Sequence, residues 1–158
     1  MNATSPDMPG AWDGGSSLSW PHLPEKAPFP TGIGITRRSR FAVATTAMAP
    51  IQARNVARTI LELILTTSEA SNAVSRQVQA CVAELVAIAY TRNVGSHLLC
   101  ELWRDSEHVF TAVQHAEPLP LMPDDTTIGL RVVKALADDY GSHMVDGVFQ
   151  MWAAVRIA

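Results

Sequence analysis

Cysteine is scarce in this chain: Cys81 and Cys100 are the only two in 158 residues, and neither has a second cysteine or a histidine at metal-ligand spacing. A zinc knuckle and a disulfide scaffold are excluded, and no metal site is expected. Both thiols fall inside apolar periodic segments and read as buried and reduced, as in a cytoplasmic protein. Long apolar runs are missing too. No stretch approaches the roughly 20 residues of a membrane-spanning helix, and the N-terminus lacks a basic region followed by an apolar run. No membrane association or export is expected. Positive charge is sparse: the net charge is −3, and only Arg37, Arg38 and Arg40 form a basic cluster, too little for a nucleic-acid footprint.

What is present divides into two parts. Residues 1–36 are crowded with Pro, Gly, Ser and Asp and keep no helical or strand period, so they read as a disordered arm. Trp12, Trp20 and Phe29 are unusual in such a segment. They are either incidental or docking residues that fold against a partner or against the chain's own domain. Residues 37–158 form the second part, a single ordered domain of the size one core can support.

Within the domain, Arg40 to Thr45 alternates like a short strand. A helix is expected from Ile51 to about Thr67, with Pro50 in its first turn. Val56, Ile60, Leu63 and Ile64 make its apolar stripe, and Ala53, Ala57 and Leu61 widen it. Thr66 to Glu69 breaks the pattern and offers capping hydroxyls to the longest helix, Val74 to Arg92. There Val74, Val78, Cys81, Val82, Leu85, Val86 and Ala89 recur at three- and four-residue spacing and predict one buried side. Ser96 to Trp103 and Glu107 to Gln114 alternate as a hairpin around Arg104-Asp105-Ser106. Residues 116–126 hold three prolines and read as a loop. A third helix is expected from Thr127 to about Tyr140, capped by Thr126 or Asp125, burying Leu130, Val133, Leu136 and Ala137 and stopped by Gly141. Two last strands, Ser142 to Val145 and Val148 to Ile157, turn at Asp146-Gly147, a dipeptide that favours tight hairpins. Strands in this order with helices between them make an α+β, two-layer sandwich, a mostly antiparallel sheet with helices on one face.

Few side chains suggest chemistry on their own. His97, His108, His115 and His143 are scattered, and Ser96-His97 and Ser142-His143 are neighbours that alternation would aim at opposite faces. Met144, Met151 and Trp152 read as core, and Gly32-Ile33-Gly34 has no following helix to make a dinucleotide loop. Glu84 is the most suggestive carboxylate, because it lies on the longest helix but off its apolar side.

Several strings resemble the histidine-kinase-like ATPase superfamily, and within it the bacterial anti-sigma-factor serine kinases. The resemblance covers about residues 38–158. The family's Glu-Leu-x-x-Asn-Ala motif is matched by Glu84-Leu85-Val86-Ala87-Ile88-Ala89, its Asp-x-Gly-x-Gly by His115-Ala116-Glu117-Pro118-Leu119, and its Gly-x-Gly-Leu box by Thr127-Ile128-Gly129-Leu130. Tyr140-Gly141 and Met151-Trp152 answer the closing pattern. The resemblance implies that fold, with a nucleotide site at the positions of Glu84, Ile88, His115, Glu117, Thr127, Gly129 and Leu130. Most of its letters are substituted. The family's Asn supplies an oxygen to Mg²⁺, and Ile88 has none. The family's Asp accepts from adenine, and His115 does so only as one tautomer. Thr127 replaces a phosphate-cradling glycine, and Asp124-Asp125 put negative charge at the helix start where a triphosphate would sit.

The expectation is therefore a transcription-regulating protein that binds another protein around a degenerate ATP site, with no cofactor. The partner is a sigma factor, an anti-anti-sigma protein or a second copy in a homodimer. Glu84 is a relic of the base that activates a partner's serine. One alternative is an active ATP-dependent protein serine kinase using Glu84 with Mg²⁺. Another is a small-molecule sensor whose old adenine pocket is lined by Ile88 and the loop around Leu119 to Met122.

Overall fold

The computed structural model describes residues 38–70, 73–92, 95–115 and 131–157. The arm, residues 116–130 and the start of the third helix lie outside the described residues. In chain order the elements are β1 (Arg38–Ala44), α1 (Ala49–Ile64), α2 (Thr67–Ala70), α3 (Val74–Arg92), β2 (His97–Arg104), β3 (His108–His115), α4 (131–136), β4 (Asp139–Val145) and β5 (Val148–Arg156). The five strands form one sheet in the order β1-β2-β3-β5-β4, with every neighbouring pair antiparallel. The helices pack on one face, so the expected α+β sandwich is the fold.

The face of α3 follows its sequence period. All seven residues read as its buried side are inaccessible, and Ile88 joins them at 3% exposure. They meet Leu98, Cys100 and Leu102 of β2, Val109 and Val113 of β3, and Met151, Ala153 and Val155 of β5 in one continuous core. Alternation places these strand residues on a common face.

α1 corrects the expectation. Its buried stripe is Ala49, Ala53, Ala57 and Leu61, with Ile60 and Ile64 half-buried, whereas Val56 and Leu63 point outward, Leu63 at 80% exposure. Small residues on the inner face let α1 lie close against α3, and the larger apolar side chains are left outside. Pro50 stands in the first turn, as expected, and Thr46 Oγ1 accepts from the Met48 N–H at 3.1 Å.

Thr66 to Glu69 caps α2 rather than α3. The Thr66 N–H donates to Glu69 Oε1 at 2.8 Å while the Glu69 N–H donates to Thr66 Oγ1 at 3.2 Å, a reciprocal capping box. Arg104 then ties this corner to the sheet. It donates to Glu69 Oε1 at 2.8 Å and to the Ile64 carbonyl, an orphan acceptor at the end of α1, at 3.1 Å.

The third helix ends before Tyr140, which lies in β4 and pairs with Ala153 of β5, and Gly141 is a strand residue opposite Trp152 rather than a helix stop. A strand glycine weakens backbone order but leaves room beside an indole, and the pairing with β5 outweighs the helical pattern of the preceding residues. The Asp146-Gly147 turn forms as expected, with φ of 51° and 79°. Met151 and Trp152 are buried, but Met144 is exposed on the edge strand.

These contacts make four expected outcomes in denaturant and thermal unfolding. Leu85→Ala costs about 2–5 kcal/mol, whereas Leu63→Ala stays within about 0.5 kcal/mol. Thr111, whose buried hydroxyl finds no partner among the described residues, tolerates Thr111→Val with a gain of about 1 kcal/mol. The Glu69 carboxyl is pulled from 4.5 to about 2, first by the Arg104 hydrogen bond and then by the Thr66 N–H. Its contribution is therefore present above its ordinary value and fades as pH falls towards about 2, a dependence that Glu69→Gln flattens.

Candidate functional site

The middle of α3 holds the residues with most chemical content. Glu84 lies at the border between the core face and the outer side of the helix and is half-buried. Burial alone pushes its carboxyl above the ordinary 4.5. A residue that the period sets off the apolar side is thus partly desolvated. One turn on, Ile88 faces inward and packs into the main core, and its carbonyl accepts from Thr91 Oγ1 at 2.8 Å.

Two further groups lie near this stretch of α3. Cys81, fully buried, has its thiol pushed up to about 12 by burial and then by the negative charge of Glu84 and Asp138. It stays protonated and inert at neutral pH. Asp138 lies just ahead of β4, where its N–H donates to the Ala154 carbonyl at 2.8 Å and its Oδ2 accepts from the Arg156 N–H at 2.5 Å. Asp138 was hidden from sequence reading inside the expected third helix. Nothing local marks a residue that reaches α3 only after the sheet has formed.

The remaining positions of the family's site divide by location. His115 ends β3 opposite Phe149 in the register. Glu117, Thr127, Gly129 and Leu130 lie outside the described residues. The structure therefore brings together Glu84 and Ile88 from the predicted set, and it adds Cys81 and Asp138.

A hard cation does not fit at the position of the family's metal ligand. Mg²⁺ demands oxygen donors in near-octahedral geometry, and a side chain in the hydrocarbon core at 3% exposure offers none. Among the described residues no cluster of three or more His, Cys, Asp or Glu could hold a metal ion.

The other motifs carry less. Ser96 lies in a bend before β2 rather than on the strand, so its hydroxyl and His97 Nδ1 meet at 3.0 Å, against the expectation that alternation would part them. Both side chains are exposed. Arg38 and Arg40, two of the three residues of the basic cluster, are engaged with Glu101, at 3.1 and 2.6 Å. No described helix is long and apolar enough to cross a membrane.

Neither a protein-family model nor a curated protein matches this sequence. Among solved structures the fold is shared with the RsbU and RsbW domains of Rv1364c from Mycobacterium tuberculosis, at a TM-score of 0.58 and 14% identity. The match covers 77% of this chain but only 33% of that one. It is a likeness of architecture, consistent with the fold that the sequence motifs imply.

The raised carboxyl of Glu84 has a signed consequence. Folding favours its protonated form, so the contribution is fully present below about 4.5 and is lost as pH rises through the folded-state value. Thermal melts between pH about 4 and about 7.5 are expected to show the unsubstituted chain losing stability against Glu84→Gln as pH rises. Parallel curves for the two chains would show that Glu84 titrates as a solvated carboxylate.

Proposed function

We propose that this chain is a regulatory protein that acts by binding another protein, as the anti-sigma factors it resembles do, around a nucleotide site that has degenerated. The observation that carries this reading is Ile88, a core side chain at the place where the resemblance calls for a metal-binding amide. Phosphoryl transfer is mostly positioning and neutralisation of charge, so a base without its metal has nothing to act on. The name of the solved neighbour, which contains an RsbW domain, points the same way. Partner binding is further supported by α1, where Ile51, Val56 and Leu63 on the helix and Met48 at its cap are large apolar side chains left exposed. A sigma factor, an anti-anti-sigma protein or a second copy are the partners this reading favours.

One observation favours the kinase alternative. Glu84 is half-buried with a raised carboxyl, the tuning that suits a general base. Incubation with labelled ATP and candidate partners separates the two readings, because only the kinase transfers label.

Titration calorimetry is expected to give no tight Mg-ATP binding, and tight binding would sink the degenerate site. Affinity capture with mass spectrometry is expected to return the same protein partner with and without Mg-ATP. Leu63→Asp should weaken that capture at least several-fold while leaving the melting temperature unchanged, since the residue adds nothing to the core.

A further inference from the structure

The sheet has a second apolar cluster on the face turned away from the helices. Trp103, Phe110, Ala112, Trp152 and Ala154 form it, all at 0–1% exposure. The register places them side by side: Trp103 opposite Phe110, Phe110 opposite Ala154, and Ala112 opposite Trp152. Trp103 and Phe110 stack with centroids 5.3 Å apart, and the Arg38 guanidinium lies 4.1 Å from the Trp103 ring centre. Beside them Glu101, 3% exposed, accepts from Arg38, Arg40 and Gln150.

Such a face should be wet. In a two-layer sandwich it is the solvent side, and two indoles and a phenyl ring there would leave several hundred Å² of apolar surface open. α1, α3 and α4 contribute their buried residues to the other cluster, so no described helix covers this one. Trp103 Nε1 is also shut off from solvent with no acceptor among the described residues.

We propose that the segment preceding β1, within residues 20–37, lies across this face, with Trp20 and Phe29 as its apolar anchors. Two segments are long enough to do so, residues 1–37 and 116–130, and their points of attachment differ. Residue 37 adjoins Arg38, which pairs with Trp103 at the very row of the cluster. From there the chain must cross three strand spacings of about 4.8 Å to reach β5, a distance that about five extended residues span. Residue 116 instead follows His115, at the other end of β3 from Phe110, and residue 130 leads into α4, whose Val133 belongs to the helix-side core. Pro24, Pro28 and Pro30 suit such a crossing, because proline favours extended chain and brings no N–H that a sheet face would leave unpaired. The outer face is thus occupied in cis, and the partner of the preceding section meets the protein elsewhere.

Photo-crosslinking in the full chain tests this. p-Benzoylphenylalanine is placed at position 99 in place of Leu99, or at position 42 in place of Ala42; these are exposed outer-face neighbours in the register, so neither change burdens the core. Irradiation is expected to give adducts of monomer mass that map within residues 20–37. Full-length Trp20→Ser with Phe29→Ser should lower their yield several-fold. Adducts within 116–130, adducts of dimer mass, absence of any adduct, or an unchanged yield in the double variant would each overturn the proposal.

Discussion

The structure depends on burial of its central strands from both sides. In β3 and β5, successive residues face opposite ways, yet Val109 to Val113 and Gln150 to Val155 are all withdrawn from water. One side meets α3. The other holds the aromatic cluster, and a charged group caught in that slab must find its partners inside it. Glu101 does so with two guanidinium groups and an amide, which joins β1, β2 and β5 across the sheet. Gly141 fits the same constraint, since it stands opposite Trp152, where a larger side chain would compete with the indole for space.

This constraint also sets the character of the middle of α3. A helix that serves as the main inner wall must turn a broad apolar arc to the sheet, and in this chain the arc extends to Ile88. Glu84, one turn earlier, is left at its rim, partly desolvated, and the buried Cys81 thiol feels its negative charge together with that of Asp138. The Ile88 side chain gives its contacts to the packing of this helix face.

Much of the architecture was legible in the residues. The apolar period of α3, the alternation of β2 and β3 and the Asp146-Gly147 turn are local signals, and each element stands close to its expected place. Failures came where a local pattern had two solutions. The stripes of α1 were interchangeable on apolar count, and only close approach to α3 chose the alanines for the inside. Residues before Gly141 carried a helical period, but pairing with β5 drew Asp139 and Tyr140 into a strand. Of the site, Glu84 and Ile88 were legible through their motif, whereas Asp138 was not, because its closeness to α3 exists only after the chain has folded back.

The sequence by itself determined the course of α1 and α3 and of the hairpin strands, which side of α3 is buried, and that an apolar residue stands where the resembling family has a metal ligand. These are properties of neighbours along the chain, set by backbone geometry and side-chain type. Only the tertiary structure decided that α1 leaves its larger apolar side chains outside, that Glu84 is half-buried, and that the aromatic cluster on the outer face of the sheet is as dry as the inner core. Each of those depends on residues far apart in sequence competing for the same space, and burial is a property of the assembled surfaces.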